Sequence, residues 1–467
     1  MLFNSFPFAL FFAITYAVFV LAPRVRRERV LLIASLVFYA LWVPSYLVLL
    51  GGVLGTSYLL VRQMVRSTRP KGWLWASIAF PLTVLALFKY AAFGVQLLAP
   101  LLRDRMHLHV RAPYWLLPLG ISFYTFEIVS LAVDIERKKL ALPTFSRYVL
   151  FVTFFPHLIA GPIMRGSELL PQLDAGGERS VARTRRGLWL FSVGLVKKAI
   201  FSDFLLLPYV NEIFQAPGTA NGPAHLVAAY SFAFQIYFDF SGYSDMARGL
   251  ACVLGFELPM NFEEPYLSRD PSEFWTRWHM TLSRWLRDYL YVPLGGNRHG
   301  RWRMLFALMV TMLLGGLWHG AGVDFVLWGG LHGLLLVAYR LVTRRRVSRE
   351  RPLGWRDVPS VVLLFNLVSL AWVPFRAATF ADATAFYRGV FVRHYAHGWP
   401  VLPTAVVVLC VVSHGAERWL RVRLPSIHAR LGAATWGPAL EGGLLGAVLT
   451  ASLLASGAGV EFIYFQF

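Results

Sequence analysis

Cysteine is nearly missing from this chain: only Cys252 and Cys410 occur in 467 residues, each inside an apolar stretch. Neither a disulfide framework nor a zinc site is suggested by that count and setting, and two small buried hydrophobes are the expected outcome. Charge is scarce too, at 15% of residues, and acids are scarcer than bases, with 25 Asp and Glu against 45 Lys and Arg for a net charge of +20. Motifs for familiar soluble chemistry are missing as well. Pro293–Gly296 (PLGG) and the LLGG before Leu317 lack the Lys-Ser/Thr ending of a phosphate loop, and neither fits GxGxxG. No HExxH pairs a glutamate with two histidines, and no GxSxG elbow sits between a plausible strand and helix. Nucleotide-fold, zincin and serine-hydrolase readings are therefore unsupported, and no metal is expected.

What is present is apolar surface. Hydrophobic residues make up 57% of the chain, and the mean hydropathy is +0.54, more than one soluble core hides. Val30–Val61, Met304–Val323 and Gly442–Val460 carry no Asp, Glu, Lys or Arg, and each is long enough to cross hydrocarbon. Pro44 interrupts the first window, which predicts either two segments or one broken helix. The bases cluster between windows, at Arg24–Arg29, Arg62–Lys71, Arg183–Arg186 and Arg344–Arg351. That is the pattern of cytoplasmic loops and not of a nucleic-acid surface. Leu2–Pro23 has no positive leader and no small-residue cleavage pattern, so it reads as a retained span with its N-terminus outside. About a dozen hydrophobic segments follow in one integral-membrane domain, 1–467, an all-α polytopic architecture without internal repeats.

The centre is different: from Gln235 to Arg303, inside a motif-rich stretch of about 235–335 where the chemistry is expected, aromatic and charged residues occur together too densely for a lipid-facing helix. Pro271-Ser272-Glu273 signals a helix start. Trp275, Trp278, Leu282, Trp285, Leu286 and Tyr289 recur at helical spacing opposite Arg277, Arg284, Arg287 and Asp288. One amphipathic helix with its aromatic face in the headgroup region is the prediction. Tyr148–Met164, with Pro156, His157, Gly161 and Pro162, predicts a broken or re-entrant element.

Ionisable groups at membrane depth cost about 2.5–3.5 kcal/mol on insertion scales, so each is a functional candidate. His319, in LLGGLWHGAG, is the sharpest. A neutral imidazole suits general-base work on a hydroxyl, and a core histidine bonded to a carbonyl is the competing reading. His279, in WTRWHMTLSRW, is the second candidate, equally readable as a packed histidine. Asp239, Tyr243 and Asp245 form a polar knot around Gly242, either orienting a histidine or neutralised by Arg248 or the basic helix. Glu127, Asp134 and His157 stay open in the same way.

Several long strings, in order, carry a resemblance. LFKY (Leu87–Tyr90), PLGISFYTFE (Pro118–Glu127), FFPHLIAGPIMR (Phe154–Arg165), YFDFSGYSDMA (Tyr237–Ala247), EFWTRWHMTLSRWLRDYLYVPLGGNR (Glu273–Arg298), TMLLGGLWHGAG (Thr311–Gly322) and the terminal FIYFQF span almost the whole chain. The chain resembles the membrane-bound O-acyltransferase (MBOAT) family, in its bacterial alginate O-acetyltransferase branch. The resemblance implies a bundle of membrane helices around a tunnel or funnel in the bacterial inner membrane, with His319 as catalytic base and His279 as a second active-site residue. Trp318, Tyr243, Asp245, Asp288 and Asn297 are the supporting or substrate-path candidates. It also implies acetyl-CoA as donor, no bound cofactor, and an acceptor that is an exopolysaccharide, a cell-wall glycan or a periplasmic acetyltransferase partner. A D-alanyl transferase of a teichoic-acid system shares the two histidines and is the alternative. A polysaccharide transporter or an idle scaffold for glycan export are the non-enzymatic readings.

Overall fold

The computed structural model describes residues 1–106, 113, 115–218, 220–343, 353–391, 398–433, 437–455 and 463. The basic run Arg344–Arg351 and all of the terminal FIYFQF except Ile463 lie outside the described residues. Among the described residues every regular element is helical, as expected where no water satisfies an exposed backbone. Six helices among the described residues are long and apolar enough to span a membrane, and two shorter apolar helices add to them. Exposed apolar side chains such as Val48, Leu59, Val362 and Leu363 sit on those helices, a surface that lipid and not water can cover.

The chain divides into two compact units, residues 1–188 with 247–259, and residues 189–246 with 260–467. The first holds α1 (Phe6–Leu21), α2 (Arg24–Ala40), α3 (Tyr46–Arg66), α4 (Pro70–Met106), α5 (Ile121–Glu136), α6 (Phe145–Thr153), α7 (Gly166–Asp174) and the start of α8 (Val181–Leu195). The apolar window interrupted by Pro44 is two helices, α2 and α3. Pro156 and Pro162 prevent continuation of α6, and Phe154–Met164 runs as turns instead. That irregular backbone is buried in protein, as the sequence predicts: Phe154, Leu158, Ala160 and Met164 are all at or below 1% exposure. His157 anchors it, with Nδ1 3.1 Å from the Glu127 carboxylate and Nε2 3.1 Å from the Phe151 carbonyl. The same Glu127 oxygen accepts the Met164 amide at 3.1 Å.

The second unit opens with the end of α8 and a π-helical stretch, Val196–Leu206. Then come α9 (Leu207–Gln215), α10 (Gly222–Leu254), α11 (Pro271–Arg277), α12 (Met280–Leu286), α13 (Gly300–His319), α14 (Val323–Val342), α15 (Val358–Ala371), α16 (Val373–Arg376), α17 (Phe380–Val390), α18 (Val401–Ala433) and α19 (Gly437–Ala455). The last eight residues of α10, 247–254, and the loop to Pro259 belong to the first unit; the rest of the 235–335 stretch is here. Gly242 serves close packing and not a turn. It lies mid-helix in α10, where an added Cβ would meet the Gly194 carbonyl oxygen at 2.6 Å, so the two backbones touch there.

Candidate active site

The predicted amphipathic helix of residues 271–289 is two helices, and the break carries a histidine. Asp270 caps α11 by accepting the Glu273 amide at 2.9 Å, with Pro271 in the first turn. Glu273 then binds Arg269 at 3.1 Å and Arg277 at 2.9 Å. After Arg277 the chain extends at Trp278 and turns left-handed at His279, with φ 40° and ψ 56°. A non-glycine residue there costs about 1–2 kcal/mol, and the surroundings must impose it. Asn261 does so. Its backbone carbonyl takes the Met280 amide at 2.9 Å. Its side-chain oxygen takes the Thr281 hydroxyl at 2.6 Å and amide at 3.3 Å, and its amide nitrogen donates to Ser244 on α10 at 3.2 Å. Nor does the middle of the apolar face meet the headgroup region as predicted: Trp278, Leu282, Trp285 and Leu286 are buried in protein, and Trp275 and Tyr289 at its ends are half-buried. Trp278 packs on Phe262, Tyr266 and Trp372.

The strained turn directs His279 into a closed aromatic setting. Its ring meets Phe240 edge-on at 4.6 Å between centroids and lies 6.0 Å from Trp318 and 6.4 Å from His319. His279 is fully buried, and neither of its ring nitrogens has a hydrogen-bond partner among the described residues. Burial pushes its pKa down to about 3, so the ring is neutral at physiological pH. A buried polar group without a partner forfeits about 1–3 kcal/mol. Such a group in a native fold calls for a functional explanation.

His319 ends α13 and is buried to 4% exposure. Trp318, Trp328 and Phe375 surround it, with centroids at 5.0, 4.9 and 5.5 Å. The small residues before it set the geometry. An added Cβ at Gly316 would lie 3.1 Å from the Gly329 backbone, so α13 and α14 approach closely enough to bring Trp328 against the imidazole. The two histidines, forty residues apart in sequence, therefore converge in one compact unit.

The supporting candidates separate. Trp318 lies between the two histidines in ring contact with both. Tyr243 is buried on α10, near the Asp239 charge. Asp245 pairs with Lys197 at 2.9 Å, and Asp239 pairs with Lys198. The π-helical stretch thus supplies counter-ions to the polar knot, and Arg248 donates to the Leu258 carbonyl at 3.4 Å. Asp288 binds its neighbour Arg287 at 2.7 Å, and exposed Asn297 accepts the Tyr291 hydroxyl at 2.6 Å. Both are held by local contacts in and after a π-turn, Arg287–Tyr291. Among the described residues no three His, Cys, Asp or Glu side chains gather as a metal site. Sequence reasoning did not single out Asn261, Lys197 or Lys198. Asn261 follows a proline and a methionine in a loop with no periodicity, and nothing local marks it.

Known proteins resemble this chain over most of its length. The model of the MBOAT, membrane-bound O-acyltransferase family, matches residues 54–371, a span that includes both histidines. The chain is 39% identical over 394 residues to the probable alginate O-acetylase AlgI of Pseudomonas aeruginosa, covering 83% of this chain and 74% of that protein. It is 34% identical over 395 residues to the peptidoglycan O-acetyltransferase of Helicobacter pylori, covering 77% and 73%. It is 30% identical over 290 residues to the teichoic acid D-alanyltransferase of Streptococcus thermophilus, covering 55% and 68%. With its membrane-length apolar helices and these relatives, the chain belongs to the membrane-bound O-acyltransferase family and is a multi-pass membrane O-acyltransferase.

Proposed function

We propose that the protein takes an acetyl group from a cytoplasmic thioester, acetyl-CoA, and passes it across the bacterial inner membrane to an exopolysaccharide or cell-wall glycan, directly or through a periplasmic acetyltransferase partner. The observation that carries this reading is the convergence of His279 and His319, centroids 6.4 Å apart, in a buried aromatic enclosure where, among the described residues, neither nitrogen of His279 has a partner. His319 is the general base. It accepts the proton of the acceptor hydroxyl as the oxygen attacks the thioester carbonyl carbon. The tetrahedral oxyanion needs donors, and the Trp318 indole, the Tyr243 hydroxyl or backbone amides can provide them. Collapse breaks the C–S bond, and the proton held by His319 passes to the departing thiolate. Neutral His279 offers one donor and one acceptor to the substrate, a role that a histidine already bonded to protein could not fill.

An acetyl donor is favoured by the relatives named as O-acetylases, which cover more of this chain than those named for D-alanyl transfer. The D-alanyl relatives sustain the second reading. The deciding experiment follows radiolabelled acetyl from acetyl-CoA to polymer or partner in membranes carrying wild type, His319→Ala or His279→Ala protein at matched expression. Loss with His319→Ala supports the base. Undiminished transfer by that variant removes it. Transfer absent in wild type but present with a D-alanyl carrier-protein donor selects the second reading.

A further inference from the structure

Two basic clusters far apart in sequence meet in the first unit. The Arg179 guanidinium lies over Tyr16 and Phe19 at 5.8 and 5.9 Å, and Arg27 lies over the same Phe19 at 5.4 Å. The turn after α1 and the loop before α8 therefore share one end of the unit. Arg24 and Arg27 add like charge beside Arg179. At that end is a cavity of about 510 Å³, lined by Glu178, Arg179, Ser180, Ala182, Arg183, Arg186 and Glu257.

The arginines of the lining differ in how they are neutralised. Arg183 binds Glu257 at 2.9 Å and Glu178 at 3.4 Å, and Arg186 binds the same Glu257 oxygen. Glu257 is thus shared between two guanidinium groups. Arg179 has no carboxylate partner among the described residues, and its Nε is buried without a hydrogen bond. A guanidinium held by aromatic stacking, with its donors unspent and further arginines beside it, is suited to a phosphate, whose oxygens it meets in a planar fork. A carboxylate ligand would find two resident carboxylates already competing for the same arginines. A phosphate ester brings more charge and more acceptors against three guanidinium groups.

We propose that this cavity is a phosphate-binding site, with Arg179 as its principal ligand and Arg183 and Arg186 as its flanks. Resting on the function proposed above, its ligand is the nucleotide end of the coenzyme A donor. The headgroup of an anionic phospholipid presents the same chemistry from another source. Glu178, whose side chain is 84% exposed, tempers the site by sharing Arg183.

The test uses the full-length protein in nanodiscs and measures binding of coenzyme A, dephospho-coenzyme A, pantetheine and inorganic phosphate, with retention of phosphatidylglycerol read by native mass spectrometry. Arg179→Ala should weaken coenzyme A binding about tenfold, equivalent to about 1.4 kcal/mol, and leave pantetheine binding unchanged. Glu178→Gln should strengthen coenzyme A binding a few-fold, a gain that misfolding cannot imitate. Added salt should narrow both differences. Loss of phosphatidylglycerol from Arg179→Ala with coenzyme A binding unchanged would keep the phosphate site and overturn the donor assignment. Identical binding of all these probes by wild type and both variants would overturn the site itself. Arginine-dependent coenzyme A binding by a wild-type protein that transfers no acetyl group would leave the site standing and remove the proposed function.

Discussion

His157 in the first unit and His279 in the second are both essentially inaccessible, at 1% and 0% exposure, yet the protein treats them in opposite ways. Both ring nitrogens of His157 are engaged, by Glu127 and by the Phe151 carbonyl, and with the Met164 amide on Glu127 they fasten a stretch that proline keeps from being helical. His279 has no such partner, and a left-handed backbone is imposed by Asn261 to hold it in place. A satisfied buried histidine is part of the scaffold. An unsatisfied one, 6.4 Å from a second histidine, is the substrate contact that the proposed function assigns.

That contrast predicts which substitutions will affect chemistry and which will affect the fold. His319→Ala should have the largest effect, a loss of acetyl transfer of about 10²–10⁴-fold, the usual contribution of a positioned general base, at wild-type abundance in membranes. His279→Ala should lower transfer by about 10²-fold while leaving thermal stability unchanged or slightly raised, because it removes a polar group that costs free energy to bury. His279→Gln should recover part of the rate by restoring a neutral donor and acceptor. Equal loss of stability and activity in His279→Ala would erase the distinction between the two histidines.

The converse holds for the scaffold pair. Glu127→Leu leaves His157 Nδ1 and the Met164 amide without their partner in a closed interior and should cost about 1–3 kcal/mol of stability for each, seen as a lower melting temperature in detergent. Specific activity of the surviving folded fraction should stay within a few-fold of wild type. Gly242→Ala, which forces a methyl group against the Gly194 backbone, should cost about 1–3 kcal/mol by overpacking.

The smallest effect concerns pH. With its pKa near 3, His279 is neutral in the folded protein while an unfolded histidine, at about 6.5, takes up a proton. Stability attributable to this residue is therefore intact above pH 6.5 and declines as the pH falls from 6.5 toward 3, since the unfolded state binds more protons in that window. His279→Gln should flatten this part of the stability curve, measured as melting temperature against pH, and should leave unshifted any acid limb of the rate profile near neutrality. A shift of that limb in the variant would mean that His279 titrates in the working enzyme.

Much of the fold was legible because lipid permits few solutions. Charge-free windows predict helices, Pro44 predicts an interruption that the structure resolves as the division of α2 from α3, and Pro156 with Pro162 predicts the broken segment after α6. The helix start at Pro271 was legible too, from its capping chemistry. The continuity of that helix through Trp278 and His279 was not. The three- and four-residue spacing of its aromatic residues persists across the break, and only Asn261, from a distant loop, captures the Met280 and Thr281 groups that would otherwise have continued the ladder. Likewise Asp245 suggested Arg248 by proximity in sequence, but nothing local pointed to Lys197, brought within 2.9 Å of it by the approach of α8 and α10 at Gly194 and Gly242.

The sequence by itself determined that this chain is a helical membrane protein, and its long motifs singled out His319 and His279, because apolar length and uncommon residue strings are local properties. Which buried histidine is satisfied and which is left open was decided by tertiary structure alone. Hydrogen-bond partners are drawn from residues tens or hundreds of positions away, and no local pattern records where a folded chain places a carboxylate, a carbonyl or nothing at all.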